Sequence, residues 1–481
     1  MKISNQSIRK RKKVNRIIDK LVRGTLNLSK MFYPGSVALI GASNKKGKIG
    51  NAIMRSLKRG FEGDLYPINP NEDTILDHRV HDSVAQIEQD IDLAIICLPA
   101  KIVPSVLKEC GENGVKDVIV VSAGFSEAGK KDLEIELKNI ASSHGMNLLG
   151  PNCLGIYNAE NKFDTIFNPP ERQARPETGN IAFLSQSGAF GAAVLDWFSE
   201  SDIGLSKFVS YGNRAHVDEA DLVNYLAEDN DTDYIIIYIE GLKKGRKFFE
   251  KAKQSEKPIL AIKSGRTDEG SSAATSHTAS LAGNDTVYNG AFKQSGVIRL
   301  DSLEEMFNIA KALSYQPLPE GKNVGIVTNG GGAGVMATDS LIKRNLDLAN
   351  FSQKTKKKFK EAVEKGDIPE HATLNNPVEI VGDAPSERYE RAMEMTLEDE
   401  NVDMLIVVSL FQSPALDKDI VEKLERLKKK EKPIIVVSPG GEYTRKMIQR
   451  IEKKDIPVYQ TLEGSVQAVH GLWRCAEANK S

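Results

Sequence analysis

Asn180-Ile181-Ala182-Phe183-Leu184-Ser185-Gln186-Ser187-Gly188 opens as a short apolar run and ends in a turn of small residues, with a helical stretch following through Trp197. An apolar run bounded by such a turn reads as a buried strand feeding a helix, the unit from which parallel sheets are built. The layout recurs in Asn323-Val324-Gly325-Ile326-Val327-Thr328-Asn329-Gly330-Gly331-Gly332-Ala333-Gly334. Each copy later carries a strand introduced by Lys-Pro, at Lys257-Pro258 to Ile262 and at Lys432-Pro433 to Val437. Two related α/β domains joined through Gln316-Pro317-Leu318-Pro319 account for this. Coincidence is the other reading, because strand–glycine–helix turns recur across unrelated α/β folds.

Upstream, strands are expected at Ser36–Ile40, Asp64–Ile68, Leu93–Leu98, Asp117–Val121 and Asn147–Leu149, with helices between them, forming one doubly wound domain that ends near Tyr157. A Pro-containing loop, with Asn168-Pro169-Pro170 and Arg175-Pro176, separates it from the next block. The expected class is α/β: a Rossmann-like domain over 29–157, then two flavodoxin-like domains over 158–316 and 317–481, behind an extension of residues 1–28. That extension places Arg9-Lys10-Arg11-Lys12-Lys13 before Val14, Ile17, Ile18, Leu21 and Val22 at helical spacing. It reads as a solvated basic helix docked through its apolar stripe, with a targeting peptide or a surface-binding arm as alternatives.

The 481 residues exceed one ordinary core, and 40% hydrophobic with 27% charged residues is the composition of a soluble globular protein. A net charge of −1 argues against nucleic-acid binding by the body of the chain. No run of about 18 apolar residues is present, so no membrane span is expected. Cys97, Cys110, Cys153 and Cys475 form neither a CxxC pair nor a zinc-spaced cluster, which suits a reducing cytoplasm, and no metal ligands are expected here.

Chemistry is concentrated in turns. Gly41-Ala42-Ser43-Asn44-Lys45-Lys46-Gly47-Lys48-Ile49-Gly50 joins a strand to a helix and directs backbone N–H groups at a phosphate. It is not GxGxxG, and the next strand ends in Asn69-Pro70 without the acid that holds a ribose diol. With Lys45, Lys46 and Lys48 nearby, the turn suits a nucleotide bearing an extra ribose phosphate, as coenzyme A does; a degenerate NAD(P) fold is the alternative. Ser187-Gly188 and Gly330-Gly331-Gly332 each open a helix, and two such N-termini aimed at one point would stabilise a phosphoryl group. His277, in Ser276-His277-Thr278-Ala279-Ser280-Leu281-Ala282-Gly283, is the candidate to accept that group. Its imidazole needs a carboxylate partner, and Glu240, ending Tyr234 to Ile239 and followed by Gly241, supplies one if the two strands are neighbours.

Taken in order, these motifs, with Gly150-Pro151-Asn152-Cys153-Leu154-Gly155, Ser185-Gln186-Ser187-Gly188, Gly212-Asn213 and Val217-Asp218-Glu219-Ala220-Asp221, resemble the α subunit of ADP-forming acyl-CoA synthetases, relatives of succinyl-CoA synthetase. The resemblance covers roughly Leu28 to Trp473. It implies a reversible reaction in which acyl-CoA, phosphate and ADP give the free acid, CoA and ATP, through an acyl phosphate and a phosphohistidine at His277 steadied by Glu240. It further implies a CoA site at Gly41, Ala42, Ser43, Lys48, Asn69, Pro70, Pro99 and Asn152, and phosphate contacts at Ser187, Gly188, Gly330, Gly331 and Gly332. ADP or ATP with Mg2+ would sit on a separate ATP-grasp β subunit in an α2β2 heterotetramer, since no such domain is legible in this chain. Ala279 and His216 depart from the family pattern, where Gly and Asp are usual. A CoA- or acyl-CoA-binding regulatory protein without turnover is the competing reading.

Overall fold

The computed structural model describes residues 26–270 and 284–480, and the chain divides into two compact units, Met1–Arg299 and Leu300–Ser481. In the first unit, β1 (Ser36–Ile40), β2 (Asp64–Ile68), β5 (Leu93–Ile96), β6 (Asp117–Val120) and β7 (Asn147–Leu149) form a parallel sheet in the order β2-β1-β5-β6-β7. The inner strands β1, β5 and β6 are buried along their whole length, as expected of parallel strands covered on both faces. A helix expected between β2 and β5 is replaced by the hairpin β3 (Thr74–Ile75) and β4 (His78–Arg79) and a 3-10 turn at Val84–Gln86. Asn44 holds that hairpin, its amide donating to Thr74 O (2.6 Å) and its Oδ1 accepting from Leu76 N (3.2 Å).

The second sheet of this unit contains β8 (Gly155–Asn158), β9 (Phe163–Asp164), β10 (Thr178–Ser185), β11 (Leu205–Ser210), β12 (Tyr234–Ile239), β13 (Ile259–Lys263) and β14 (Ile298–Leu300). Its order is β14-β13-β12-β10-β11-β8-β9, with β8 antiparallel to β11. Gly155–Asn158 therefore straddles the boundary placed at 157 by sequence and joins the second sheet. The second unit carries β15 (Asn323–Thr328), β16 (Asp347–Leu348), β17 (Val378–Glu379), β18 (Met404–Val408), β19 (Ile434–Val437) and β20 (Val458–Tyr459), in the order β16-β15-β18-β19-β20 with β17 also on β15. The helix Leu303–Tyr315 belongs to this unit, earlier than a boundary at 316: Tyr459 OH donates to Asn308 O and the Asn308 amide to Gln467.

With β3, β4, β8, β9 and β17 set aside, all three sheets share one order: second strand, first, third, fourth, fifth. In each, the chain's direction of progress reverses between the first and third strands, and the crevice beyond their carboxyl ends is where such sheets take ligands.

Candidate functional site

At the switch point of the second sheet, β10 and β12 run in parallel with Ser185 opposite Tyr238. Beyond them, Gln186 N donates to Tyr238 O (3.3 Å), and Gln186 Oε1 accepts from Glu240 N (2.9 Å) and Gly241 N (3.3 Å). Glu240 is therefore set by backbone rather than by side-chain packing alone, and only 7% of it is exposed. Ser187 caps the helix Gly188–Glu200, its hydroxyl accepting from Phe190 N (3.4 Å). Gln186, Ser187, Gly188, Glu240, Asn152 and Arg214 all border one cavity of 790 Å³. β12 also pairs with β13, Ile239 opposite Lys263, so the strand carrying Glu240 neighbours the one that leads toward 271–283.

Arg214 is the feature of this cavity that sequence reading missed. Its guanidinium donates to Gly241 O and pairs with Glu219 (3.4 Å), both groups being almost wholly buried, while Nε meets no partner among the described residues. Burial pushes the Glu219 carboxyl up, and the Arg214 charge opposes it. The loop is zipped to the end of the first sheet by Asn213 N to Pro151 O and Ala215 N to Gly150 O (2.9 Å each). Gly212 makes this possible: at φ +53°, an added Cβ would lie 2.4 Å from both Pro151 O and Asn152 O.

A second group of side chains lines the same cavity. Asn213 Nδ2 lies 2.6 Å from Glu127, 2.9 Å from Glu134 and 3.2 Å from Ser126 Oγ, and Lys243 Nζ donates to Glu134 (3.2 Å) and Asn213 O (2.7 Å). Burial raises the Glu127 carboxyl, but the Asn213 amide and the N–H groups of Gly124 and Phe125 outweigh it and leave the group below its usual range. A 3-10 turn, the start of the helix Lys131–His144 and loops some eighty or more residues further on build this cluster, and no periodicity announces it. The motif Val217-Asp218-Glu219-Ala220-Asp221 has a structural role: Asp218 and Asp221 form a capping box on the helix Glu219–Ala227 and bind Lys247 at 2.6–3.1 Å. Burial and the charges of Lys244, Lys247 and Lys138 lower the pKa of His216 beside it, and its buried Nδ1 meets no partner among the described residues.

The switch point of the first sheet opens into a separate cavity of 680 Å³ bordered by Gly41, Ala42, Ser43, Lys48, Asn69 and Pro70. Pro99 is in the wall of neither cavity, although Leu98 borders this one, and Asn152 borders the other. Ile49 borders both cavities and is 43% exposed. Close approach defines the turn, since an added Cβ on Gly50 would lie 1.9 Å from Gly41 O. Lys48 caps the following helix without a side-chain hydrogen bond, and Asn69 Nδ2 donates to Ala42 O (2.8 Å). Glu72 was not expected here: it accepts from Ser43 Oγ (3.1 Å) and from Asn44 N and Nδ2, so the turn carries a carboxylate three residues after Asn69.

In the second unit, Gly330 caps the helix Gly331–Lys343 after β15, again at the switch point. The Glu379 carboxylate lies against it, with Oε2 2.6 Å from where a Gly331 Cβ would be, an anion placed where the helix dipole favours one. His277, with residues 271–283, and the basic segment Arg9–Lys13 lie outside the described residues. Among the described residues no cluster of His, Cys, Asp or Glu is arranged to hold a metal, and no helix is long and apolar enough to cross a membrane.

Three family models match the chain: a CoA binding domain over 35–159, a succinyl-CoA ligase like flavodoxin domain over 178–313 and a ligase-CoA domain over 324–480. ADP-forming acetate–CoA ligase I of Archaeoglobus fulgidus is 42% identical over 93% of this chain, which spans 63% of that protein's length. The α subunit of ADP-forming acetate–CoA ligase II of Pyrococcus furiosus is 39% identical over 92% of this chain and 97% of its own. The dinucleotide forming acetyl-coenzyme A synthetase 1 of Ca. Korarchaeum cryptofilum, solved with phosphate and ADP, superposes with a TM-score of 0.89 at 36% identity, covering 94% of this chain and 98% of that one.

Proposed function

The chain belongs to the ADP-forming acetate–CoA ligase family, and from that premise we propose that it is the α subunit of a cytoplasmic ADP-forming acyl-CoA synthetase, with acetyl-CoA as the default substrate. In this reading phosphate attacks the thioester carbonyl, the C–S bond breaks, CoA leaves as its thiolate, and an acyl phosphate forms. A His277 ring nitrogen then attacks phosphorus, and the P–O bond to the acyl carboxylate breaks to release the free acid. ADP takes the phosphoryl group from His277 on a separate ATP-grasp β subunit, which also holds Mg2+, in an α2β2 assembly.

The observation that carries the reading is the buried Glu240 at the switch point, fixed through Gln186 beside the Ser187-Gly188 helix start. Phosphoryl transfer asks a protein mainly for positioning and charge neutralisation, and this corner offers both. Glu240 holds the ring nitrogen of His277 that does not carry phosphate. Ser187 and Gly188 supply helix-start donors to phosphate, and Gly330, Gly331 and Gly332 form the second such turn. Gly41, Ala42, Ser43, Lys48, Asn69 and Pro70 around the first cavity hold CoA, and Asn152 meets it from the cavity containing Glu240. The fit favours this ligand: the uncapped start of the Ile49–Gly60 helix opens onto the first cavity with Lys48 beside it, and Ile49 stands in the walls of both that cavity and the one containing Glu240.

The test is reconstitution with a β subunit and assay of acetyl-CoA- and phosphate-dependent ATP formation across a panel of acyl groups. CoA binding with no turnover on any acyl-CoA would favour the regulatory-protein reading instead.

A further inference from the structure

Gln186 carries a hydrogen-bonding asymmetry that the roles assigned so far do not use. Gln186 is 7% exposed, and it borders the 790 Å³ cavity. Two backbone donors, Glu240 N at 2.9 Å and Gly241 N at 3.3 Å, converge on Oε1. Two N–H groups can point only at the amide oxygen, so the orientation of the amide is fixed and its NH2 faces the opposite way. Among the described residues no protein acceptor meets Nε2, and the nitrogen is not sealed from the cavity. Arg214 braces the same turn from its other side through Gly241 O, so the amide is held against a rigid backbone. The next residue, Ser187, is the N-cap of the helix Gly188–Glu200. A fixed, partly desolvated donor beside a helix start is the arrangement that stabilises an oxyanion.

We propose that Gln186 is a catalytic residue of this site, its Nε2 donating a hydrogen bond to an oxygen of the inorganic phosphate or of the phosphoryl group transferred from it. The inference rests on the reading of this chain as an acyl-CoA synthetase subunit and adds a contact to it. Oε1 reads the position of the Glu240 turn while Nε2 reads the anion, so one side chain couples the carboxylate to the group being transferred.

Gln186→Glu and Gln186→Leu separate this role from a structural one, because the carboxylate of Glu still accepts from both backbone N–H groups whereas Leu accepts from neither. In the complex with the β subunit, the KM for inorganic phosphate in the direction consuming acetyl-CoA should rise about 10- to 100-fold in Gln186→Glu, the loss of a hydrogen bond to a charged group with added repulsion. The defect of this variant should shrink as pH is lowered toward 5, where the introduced carboxylate takes up a proton. Gln186→Leu should be less impaired toward phosphate than Gln186→Glu. The opposite ranking, with Gln186→Glu close to wild type and Gln186→Leu defective, would overturn the proposal and leave Gln186 a brace only. If Gln186→Leu does not fold, an unchanged phosphate KM in Gln186→Glu alone overturns it. A His277→Asn complex incubated with ATP labelled at its γ-phosphate separates the two failures: label retained on this chain refutes the synthetase reading, whereas label lost there with an unaltered phosphate KM in Gln186→Glu refutes only this contact.

Discussion

Replacing Gly50 with alanine tests how the first turn is built. The new Cβ would lie 1.9 Å from Gly41 O, 2.8 Å from Gly41 C and 3.1 Å from Ala42 Cα, all backbone atoms, with no flexible side chain to give way. Because Cβ contacts below 3.0 Å essentially do not occur, the helix start and the turn must part by about 1 Å, at an overpacking cost of about 1–3 kcal/mol. Displacement of that size in a positioning element lowers binding or rate by up to about 100-fold. Gly47→Ala is the matched comparison: Gly47 sits at φ +85° with nothing within 4 Å of an added Cβ, so it carries left-handed strain of about 1–2 kcal/mol but no collision. Calorimetric titration of CoA into each variant should show the larger loss in Gly50→Ala, together with a lower thermal midpoint. CoA affinity equal to wild type in Gly50→Ala would refute the close-approach account of the turn.

Arg214→Met leaves Glu219 buried without its countercharge and should destabilise the first unit by about 3–5 kcal/mol, read as a fall in its denaturant midpoint. In the second unit, burial, with Arg474 and Arg344 nearby, lowers His470 to about 4 from its ordinary 6.5. Between those values the unfolded chain binds a proton that the folded one does not, so stability should fall as pH drops from 6.5 to 4, by about 1–3 kcal/mol; His470→Gln should flatten that slope in pH-dependent unfolding curves.

The sheets were legible because parallel strands buried on both faces leave continuous apolar runs, as in β1, and the edge strands β2 and β7 also match their expected spans; β12 and β13 are neighbours as Glu240 requires. What sequence could not disclose was assembled across distance. Asn213 and Arg214 in one loop, Glu127 in a 3-10 turn and Glu134 in the helix Lys131–His144 meet only in the folded unit, and a hydrophobic period carries no trace of such a meeting. The hairpin at Thr74–Arg79 was missed because its strands have two residues each and depend on Asn44, some thirty positions earlier, for their hydrogen bonds. Glu72 escaped notice for a related reason. A ribose-binding acid belongs at the end of β2, and the chain supplies one three residues after Asn69, bound to the turn itself.

Phosphorylation of His277 tests the central claim most directly. The reconstituted complex should be incubated with ATP labelled at its γ-phosphate and Mg2+, and the label on this chain mapped by peptide. An acid-labile, base-stable label at His277 is predicted, abolished in His277→Asn and reduced in Glu240→Gln by about 100- to 1,000-fold in rate of formation, as when an electrostatic stabiliser of transfer is removed. Equal labelling of this chain in His277→Asn would contradict the account.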